Sequence, residues 1–277
     1  MENLILFKLD WENYFYGLLL ISFLVWGLEA LFPWRKNQSL FRKDFWLDTF
    51  YMFFNFFLLN LIVLIALSNT AAEIFNDLLV LIGLTISSFQ LLDLNSLPFL
   101  LRILIFFIVV DFTQWWTHRL LHRVDFLWNF HKVHHSVKEM GFAAHLRYHW
   151  MEPVIYNSLR YIPLAIVGGF SAEDVAIVHF FNITIGHLNH ANINWDYGCL
   201  KYILNNPKMH IWHHAKELPK NHEYGVNFAL TLSVWDYLFK TNYIPYSGRD
   251  IELGFEDDSN FPKNFVQQEL YPLSKSK

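Results

Sequence analysis

Apolar residues in this chain fall in long runs, not in the alternation of a half-buried sheet. From Tyr14 to Pro33 the run YFYGLLLISFLVWGLEALFP is almost uncharged, and its roughly twenty residues suffice, as a helix, to cross the hydrocarbon core of a membrane. WRKNQSLFRK follows, with Arg35, Lys36, Arg42 and Lys43. A second apolar run covers Phe45 to Leu67, with Asp48 at its border and Asn55 and Asn60 inside, where amides need partners from other helices. Leu78 to Leu92 is apolar but short and interrupted by Gly83, Ser87 and Ser88, which predicts a re-entrant or interfacial helix. A third crossing is predicted from Pro98 to about Trp115. Val154 to His187 is apolar again, broken by Arg160, Pro163, Gly168, Gly169, Glu173 and Asp174. Two full crossings need about forty residues and this stretch has about thirty-four. It predicts a shallow helical hairpin that delivers His187 and His190 back to the side it left.

The charges orient these runs. No Lys or Arg occurs from Asp44 to Leu101, while Glu73, Asp77 and Asp93 fall in the connecting region. By the positive-inside rule the Arg35 to Lys43 loop is cytoplasmic and the acidic segment lies on the far side. The third crossing then returns the chain to the cytoplasmic face, where Arg119, Arg123, Lys132 and Lys138 follow. The first residues carry Glu2, Asp10 and Glu12 against Lys8, unlike the basic start of a cleaved signal peptide, so a retained anchor is expected.

Composition agrees with a membrane protein: 54% hydrophobic, 19% aromatic and only 17% charged. A formal net charge of −4 and no basic block longer than two residues argue against a nucleic-acid partner. Cys199 is the sole cysteine, so an internal disulfide framework and any CxxC site are excluded. It is expected to be a packing residue. From Asn192 the chain is mixed in character, and after Tyr243 it is polar and acidic, as for a cap or a loose end.

Histidines supply the chemistry. HRLLH holds His118 and His122; HKVHH holds His131, His134 and His135; HIWHH repeats that spacing with His210, His213 and His214; HLNH adds His187 and His190. On a helix, positions three and four apart share a face, so each cluster points its imidazoles one way, as transition-metal ligation requires. Eight clustered histidines exceed the three or four ligands of a single zinc ion, which favours a two-metal centre. Asp111, near the end of the third crossing, is costly in lipid unless paired.

HRLLH, HKVHH after eight further residues, NHANINWDYGCLKYILNNPKMHIWHH and EYGVNFALTLSVWDYLFKT together resemble the fatty acid hydroxylase / sterol desaturase superfamily of integral-membrane oxygenases, over roughly Asp111 to Thr241. The first hundred residues match only as apolar anchors. The resemblance implies an all-α membrane protein: a helical transmembrane bundle with a cytosolic histidine-rich helical cap. It divides the chain into anchor helices over 1–110, a diiron catalytic domain over 111–241 and a polar tail over 242–277. It implies two non-haem iron ions, replaceable by zinc in purified protein, held by His118, His122, His131, His134, His135, His190, His210, His213 and His214. His187 joins this set with HxxH spacing in place of the expected HxxxH. His149, in LRYHWMEP, matches a histidine commonly followed by proline in bacterial members, but Trp150 follows it here. With Asp111 and Asp125 it is a candidate to orient ligands from outside, as are Glu152, Asp196 and Asp236, the last two being equally suited to a surface role. His145, His179 and His222 are read as structural.

The implied activity is hydroxylation of a lipid C–H bond with dioxygen and two external electrons, with desaturation on the same site as the alternative. Fatty acyl chains, sterol-like rings, ether lipids and carotenoids all stay open as substrates. The chain has no haem-protein segment and no GxGxxG fingerprint, so a ferredoxin, small cytochrome or reductase is expected as donor. The membrane would be the cell inner membrane in a bacterium or the endoplasmic reticulum in a eukaryote. More distant alternatives fit less well. A bis-histidine haem carrier predicts single histidines paired across two membrane helices. A zinc hydrolase lacks its HExxH and any Glu inside a histidine cluster. A metal transporter needs ligands along its crossings, and none of the three runs before His118 contains a histidine.

Overall fold

The computed structural model describes residues 11–56 and 65–274. Helix α1 (Trp11–Leu31) covers the first apolar run. The second run begins as α2 (Phe45–Phe53) and reaches α3 (Ile65–Leu81); whether it forms one crossing lies outside the described residues, as do Asn60 and the acidic residues Glu2 and Asp10. The stretch read as one re-entrant helix is not one. α3 ends at Leu81, Gly83 adopts φ +75°, and a single 3-10 turn, Ile86–Phe89, precedes strand β1 (Leu92–Asp93). The glycine and the two serines that interrupt the apolar run are thus where the helix stops.

Helix α4 (Phe99–Arg123) is longer than the predicted third crossing. It runs eight residues past Trp115, which places His118 and His122 on the same continuous rod. Among the described residues it is the one helix long and apolar enough to cross a membrane; α1 contains a shorter apolar stretch, Phe15–Leu31. α5 (Asp125–His135) follows after the single break at Val124. The predicted hairpin consists of α6 (Met151–Ile166), strand β2 (Val167–Gly168) and α7 (Ala172–His190). β2 pairs in parallel with β1, Leu92 with Val167 and Asp93 with Gly168. Ser171 caps α7, its side chain accepting from the Asp174 amide while the Asp174 carboxylate receives the Ser171 amide. Arg102 of α4 binds the same Asp174 at 2.8 Å and pins the start of α7 to α4. The remaining helices are short: α8 (Pro207–His213), α9 (Val234–Leu238) and α10 (Phe265–Ser274).

Two apolar helices present opposite characters on their two sides. α1 buries Leu18, Ser22, Val25 and Glu29, a stripe at helical spacing, and exposes Tyr16, Leu20, Phe23 and Leu24. α4 buries Phe106, Val110, Trp115 and Leu121 and exposes Leu100, Leu104 and Ile108. The buried side of α1 packs with Phe142, Ala143 and Leu146 of the segment 141–149, whereas that of α4 packs with Leu94, Val178 and Phe228. Glu29 of α1 accepts the amides of Phe142 at 2.9 Å and Asn192 at 2.7 Å. Asn55 donates to the carbonyls of Leu146 and Tyr148, which answers its need for a partner outside its own helix. Arg147, buried, joins Asp48 at 3.0 Å and the hydroxyl of Ser136 at 2.8 Å, and Arg42 also pairs with Asp48. The polar tail ends in α10, which docks on α5, with Tyr51 donating to Gln268 at 3.0 Å. Cys199 is exposed, not packed, in the 3-10 turn Gly198–Tyr202.

Candidate metal centre

Four helices bring nine histidines together. His118 and His122 stand one turn apart on α4, His131 and His135 one turn apart on α5, and His213 on α8; each of the five offers a nitrogen within 4.8 Å of all the others. His134, on the next face of α5, joins His190 at the end of α7 and His210 and His214 of α8 in a second group that meets the same limit. The two groups adjoin, with the His135 and His214 rings stacked at 4.4 Å between centroids. Eight of the nine are buried and His122 is partly so.

Their outer nitrogens decide what the inner ones can do. Nδ1 of His118 lies 2.7 Å from the Phe228 carbonyl, that of His213 2.8 Å from Val226, that of His134 3.1 Å from Arg147, and that of His190 2.7 Å from Gly186. A carbonyl only accepts, so each Nδ1 carries the hydrogen and each Nε2 is a bare lone pair. His131 turns its Nδ1 to the Glu152 carboxylate at 2.9 Å, with the same result. These lone pairs face each other: His118 and His131 Nε2 are 3.0 Å apart, and His190 and His134 Nε2 are 3.3 Å apart. Acceptor against acceptor at that distance is repulsive unless a cation lies between them. His122 Nε2 is buried with no hydrogen-bond partner. The donor set therefore fits two metal ions that take imidazole nitrogen.

Burial keeps these rings neutral, as ligation requires. His131, His135, His210, His213 and His214 sit well below the ordinary imidazole range, chiefly because burial penalises the charged ring and secondarily because neighbouring histidines do. His134 is lowered to about 4, again by burial.

Local sequence explains the placement. Asn206 caps α8 by accepting the Met209 amide, with Pro207 in its first turn, so the helix starts three residues before His210. The loop after Gly225 (φ +103°) carries the Val226 and Phe228 carbonyls that orient His213 and His118. Asn227 bends it with φ 53° and donates to the Met209 and Tyr243 carbonyls. Asp236 of α9, fully buried, receives the Phe228 and Ala229 amides at 2.9 Å, the Trp115 indole at 3.0 Å and the Thr241 hydroxyl at 2.6 Å. The VNFA and WDY segments are thus a bracket behind the histidines, and Asp236 has no surface role.

Other sequence candidates lie elsewhere. His187 stands outside both groups, its Nε2 3.2 Å from the Ser22 hydroxyl and its Nδ1 2.8 Å from His145 Nδ1. The His187 ring, three residues before His190, is turned toward α1. His149 accepts the Met151 amide on Nδ1 and donates from Nε2 to the Glu269 carbonyl, so it anchors α10. Asp111, buried, accepts from the Trp235 indole at 2.8 Å and the Leu232 amide, tying α4 to α9 without touching a histidine. Asp125 does not reach the site. It is exposed in the first turn of α5, where a carboxylate complements the helix dipole. Asp196 is exposed beside Lys208. Arg147, which the sequence did not single out, presents its carbonyl to His134; a lone Arg in an apolar setting was the available signal.

A family model described as fatty acid hydroxylase matches residues 103–241. Ornithine lipid hydroxylase OlsE of Rhizobium tropici is 30% identical over 180 residues, 64% of this chain and 52% of that protein. Human alkylglycerol monooxygenase is 34% identical over 137 residues, 49% of this chain and 29% of that protein. Very-long-chain aldehyde decarbonylase GL1-10 of Oryza sativa subsp. japonica is 29% identical over 148 residues, 51% of this chain and 46% of that protein. The chain spans about half, or less, of the length of these curated relatives. No solved structure matches it significantly. The matched half of the sequence contains all nine clustered histidines together with the bracket of Asn227 and Asp236, and this chain belongs to the fatty acid hydroxylase family.

Proposed function

We propose that this protein is a membrane-bound non-haem diiron oxygenase that hydroxylates a C–H bond of a lipid. The observation that carries the reading is the pair of adjoining, buried histidine groups whose Nε2 lone pairs face each other. His118, His122, His131, His135 and His213 would hold one iron, and His134, His190, His210 and His214 the other. Iron bound there supplies the reduction of dioxygen and the removal of hydrogen from an unactivated C–H bond, which side chains alone do not perform. The balance is one C–H bond and one O2, with two electrons and two protons, converted to one alcohol and one water. The electrons come from a separate ferredoxin, small cytochrome or reductase.

The chain's own contribution is to hold and to shield. Carbonyls of residues 226, 228, 147 and 186 and the Glu152 carboxylate keep the rings in one tautomer and one orientation. The exposed apolar sides of α1 and α4, Leu20, Phe23 and Leu24 on one and Leu100, Leu104 and Ile108 on the other, have the character of lipid-facing surface. α4, long and apolar enough to cross such a layer, begins at Phe99 and carries His118 and His122 in its last two turns, which supports a metal site at the cytosolic interface of a multi-pass protein. A lipid is the substrate a site so placed would meet, and two of the relatives are named for an ornithine lipid and an alkylglycerol. Desaturation on the same site begins with the same hydrogen removal and is the second reading.

The test is metal content and oxygen consumption of detergent-purified, iron-reconstituted protein given a chemical reductant and a total lipid extract, with products read by mass spectrometry. Gain of one oxygen on a lipid, abolished by His134→Ala, is expected. Loss of two hydrogens would make the enzyme a desaturase. Haem, or failure to hold two metal ions, overturns the reading.

A further inference from the structure

The two histidine groups are unequal, five against four among the described residues, and the missing member has a definite place. α4 offers His118 and His122 one turn apart, α5 offers His131 and His135, and α8 offers His210 with His214 just past its end. α7 departs from this pattern. It contributes His190, but one turn earlier stands Gly186, in helical backbone and buried.

The space beside Gly186 is filled. A Cβ built there would lie 2.2 Å from both Cε1 and Nε2 of His145 and 2.8 Å from its Cδ2. The His145 ring therefore takes the volume that a side chain at 186 would occupy. Its centroid is 5.1 Å from that of His190, at an interplanar angle of 33°. It arrives from the 3-10 segment Phe142–Leu146, two residues ahead of the Arg147 carbonyl that orients His134.

The hydrogen-bond chain behind His145 sets its tautomer. The Ser22 hydroxyl directs its one hydrogen toward Met52 Sδ at 3.7 Å and so accepts from His187 Nε2 at 3.2 Å. His187 Nδ1 is then a lone pair, and the hydrogen in its 2.8 Å contact with His145 belongs to His145 Nδ1. This leaves Nε2 of His145 bare, the same form that carbonyls enforce on His118, His213, His134 and His190.

We propose that His145 is the fifth imidazole of the second histidine group, standing in for a side chain that α7 lacks at position 186, with His187 and Ser22 as positioning residues that hold its tautomer. The inference rests on the two-metal reading above. It gives His187 a place one step behind the metal and assigns a metal role to His145, which the sequence reading left as structural.

The experiment is iron stoichiometry under graded chelator, with Mössbauer spectra, on full-length detergent-purified protein. Wild type should hold two irons; if it does not, the two-metal reading falls and this inference with it. In His145→Ala one iron should be retained as in wild type, while the other binds at least tenfold more weakly and its quadrupole doublet changes. Gly186→His added to His145→Ala places an imidazole one turn before His190, in the space vacated, and should restore the second iron. His187→Ala should weaken the second iron only a few-fold. Unaltered affinity for both irons in His145→Ala, or loss of both together with no recovery on Gly186→His, overturns the proposal. Circular dichroism of the metal-free forms identifies misfolding; should the alanine variant misfold, His145→Gln carries the same comparison.

Discussion

Glu152 meets His131 across 2.9 Å, its Oε2 receiving the imidazole Nδ1, and both side chains are buried. Glu152 is in the first turn of α6 and His131 on α5, so one contact joins the hairpin to the helix that carries HKVHH. Burial drives the Glu152 carboxyl well above its usual range. Carboxylates behind metal-bound imidazoles commonly affect metal affinity by about 10–100-fold. Glu152→Ala is expected to weaken one of the two metal ions by that order, and Glu152→Gln by less, as read by competition with a chelator.

Asp236 shows the same logic through the backbone. It holds the Phe228 amide while the Phe228 carbonyl holds His118. In Asp236→Asn an amide group must face the Ala229 N–H that Oδ2 now accepts, leaving buried donors opposed. We expect a loss of about 2–4 kcal/mol in unfolding free energy, seen as a lower Tm, together with weaker metal binding at the group that contains His118.

Arg147 works at both ends, its guanidinium binding Asp48 and Ser136 and its carbonyl meeting His134. Arg147→Met keeps the bulk but strands Asp48 with Arg42 alone. Breaking a buried ion pair on one side costs about 3–5 kcal/mol. Thermal unfolding of the metal-free variant measures it, and Asp48→Asn in the same background should recover part of the loss.

Acid should destabilise the metal-free protein over a defined window. The buried histidines titrate below the unfolded imidazole value, His134 near 4 against 6.5. Below about pH 6.5 the unfolded chain therefore binds more protons than the folded one. Stability is present above that pH and falls steadily toward about pH 4. Bound metal, which also demands neutral imidazole, should hold Tm up until protons displace it. The check is Tm against pH with and without metal; parallel curves would contradict the assignment of the groups as ligands.

Chelation at neutral pH should likewise lower Tm, since an ion bound only by the folded state stabilises it by mass action, about 2.7 kcal/mol at a hundredfold excess over Kd. Restoring iron should reverse the shift.

The apolar runs and the clustered histidines were legible because each is a local signal. Twenty uncharged residues, or two imidazoles one turn apart, mean the same thing in most surroundings. The sequence by itself thus determined a helical chain with clustered histidines suited to hold metal, and the spacing of HRLLH, HKVHH and HIWHH determined which helices would carry them. It could not divide those histidines. Consecutive positions His134 and His135 point to different groups because a helix turns about 100° per residue, and only the placement of the α7 and α8 histidines beside them decides which neighbour each one meets. Nor could it assign the outer partners. The sequence favoured Asp125 over Asp236, which was equally suited to a surface role, yet Asp125 ends at an exposed helix start and Asp236 beneath the Phe228 loop. His187 and His145 are a third case: HxxH read as a ligand pair, but the His187 ring lies against Ser22, while the space beside Gly186 is filled by the ring of His145, about forty residues earlier. Ligand type and local spacing are written along the chain, whereas the direction of a ring and the group behind it are set by which elements pack together.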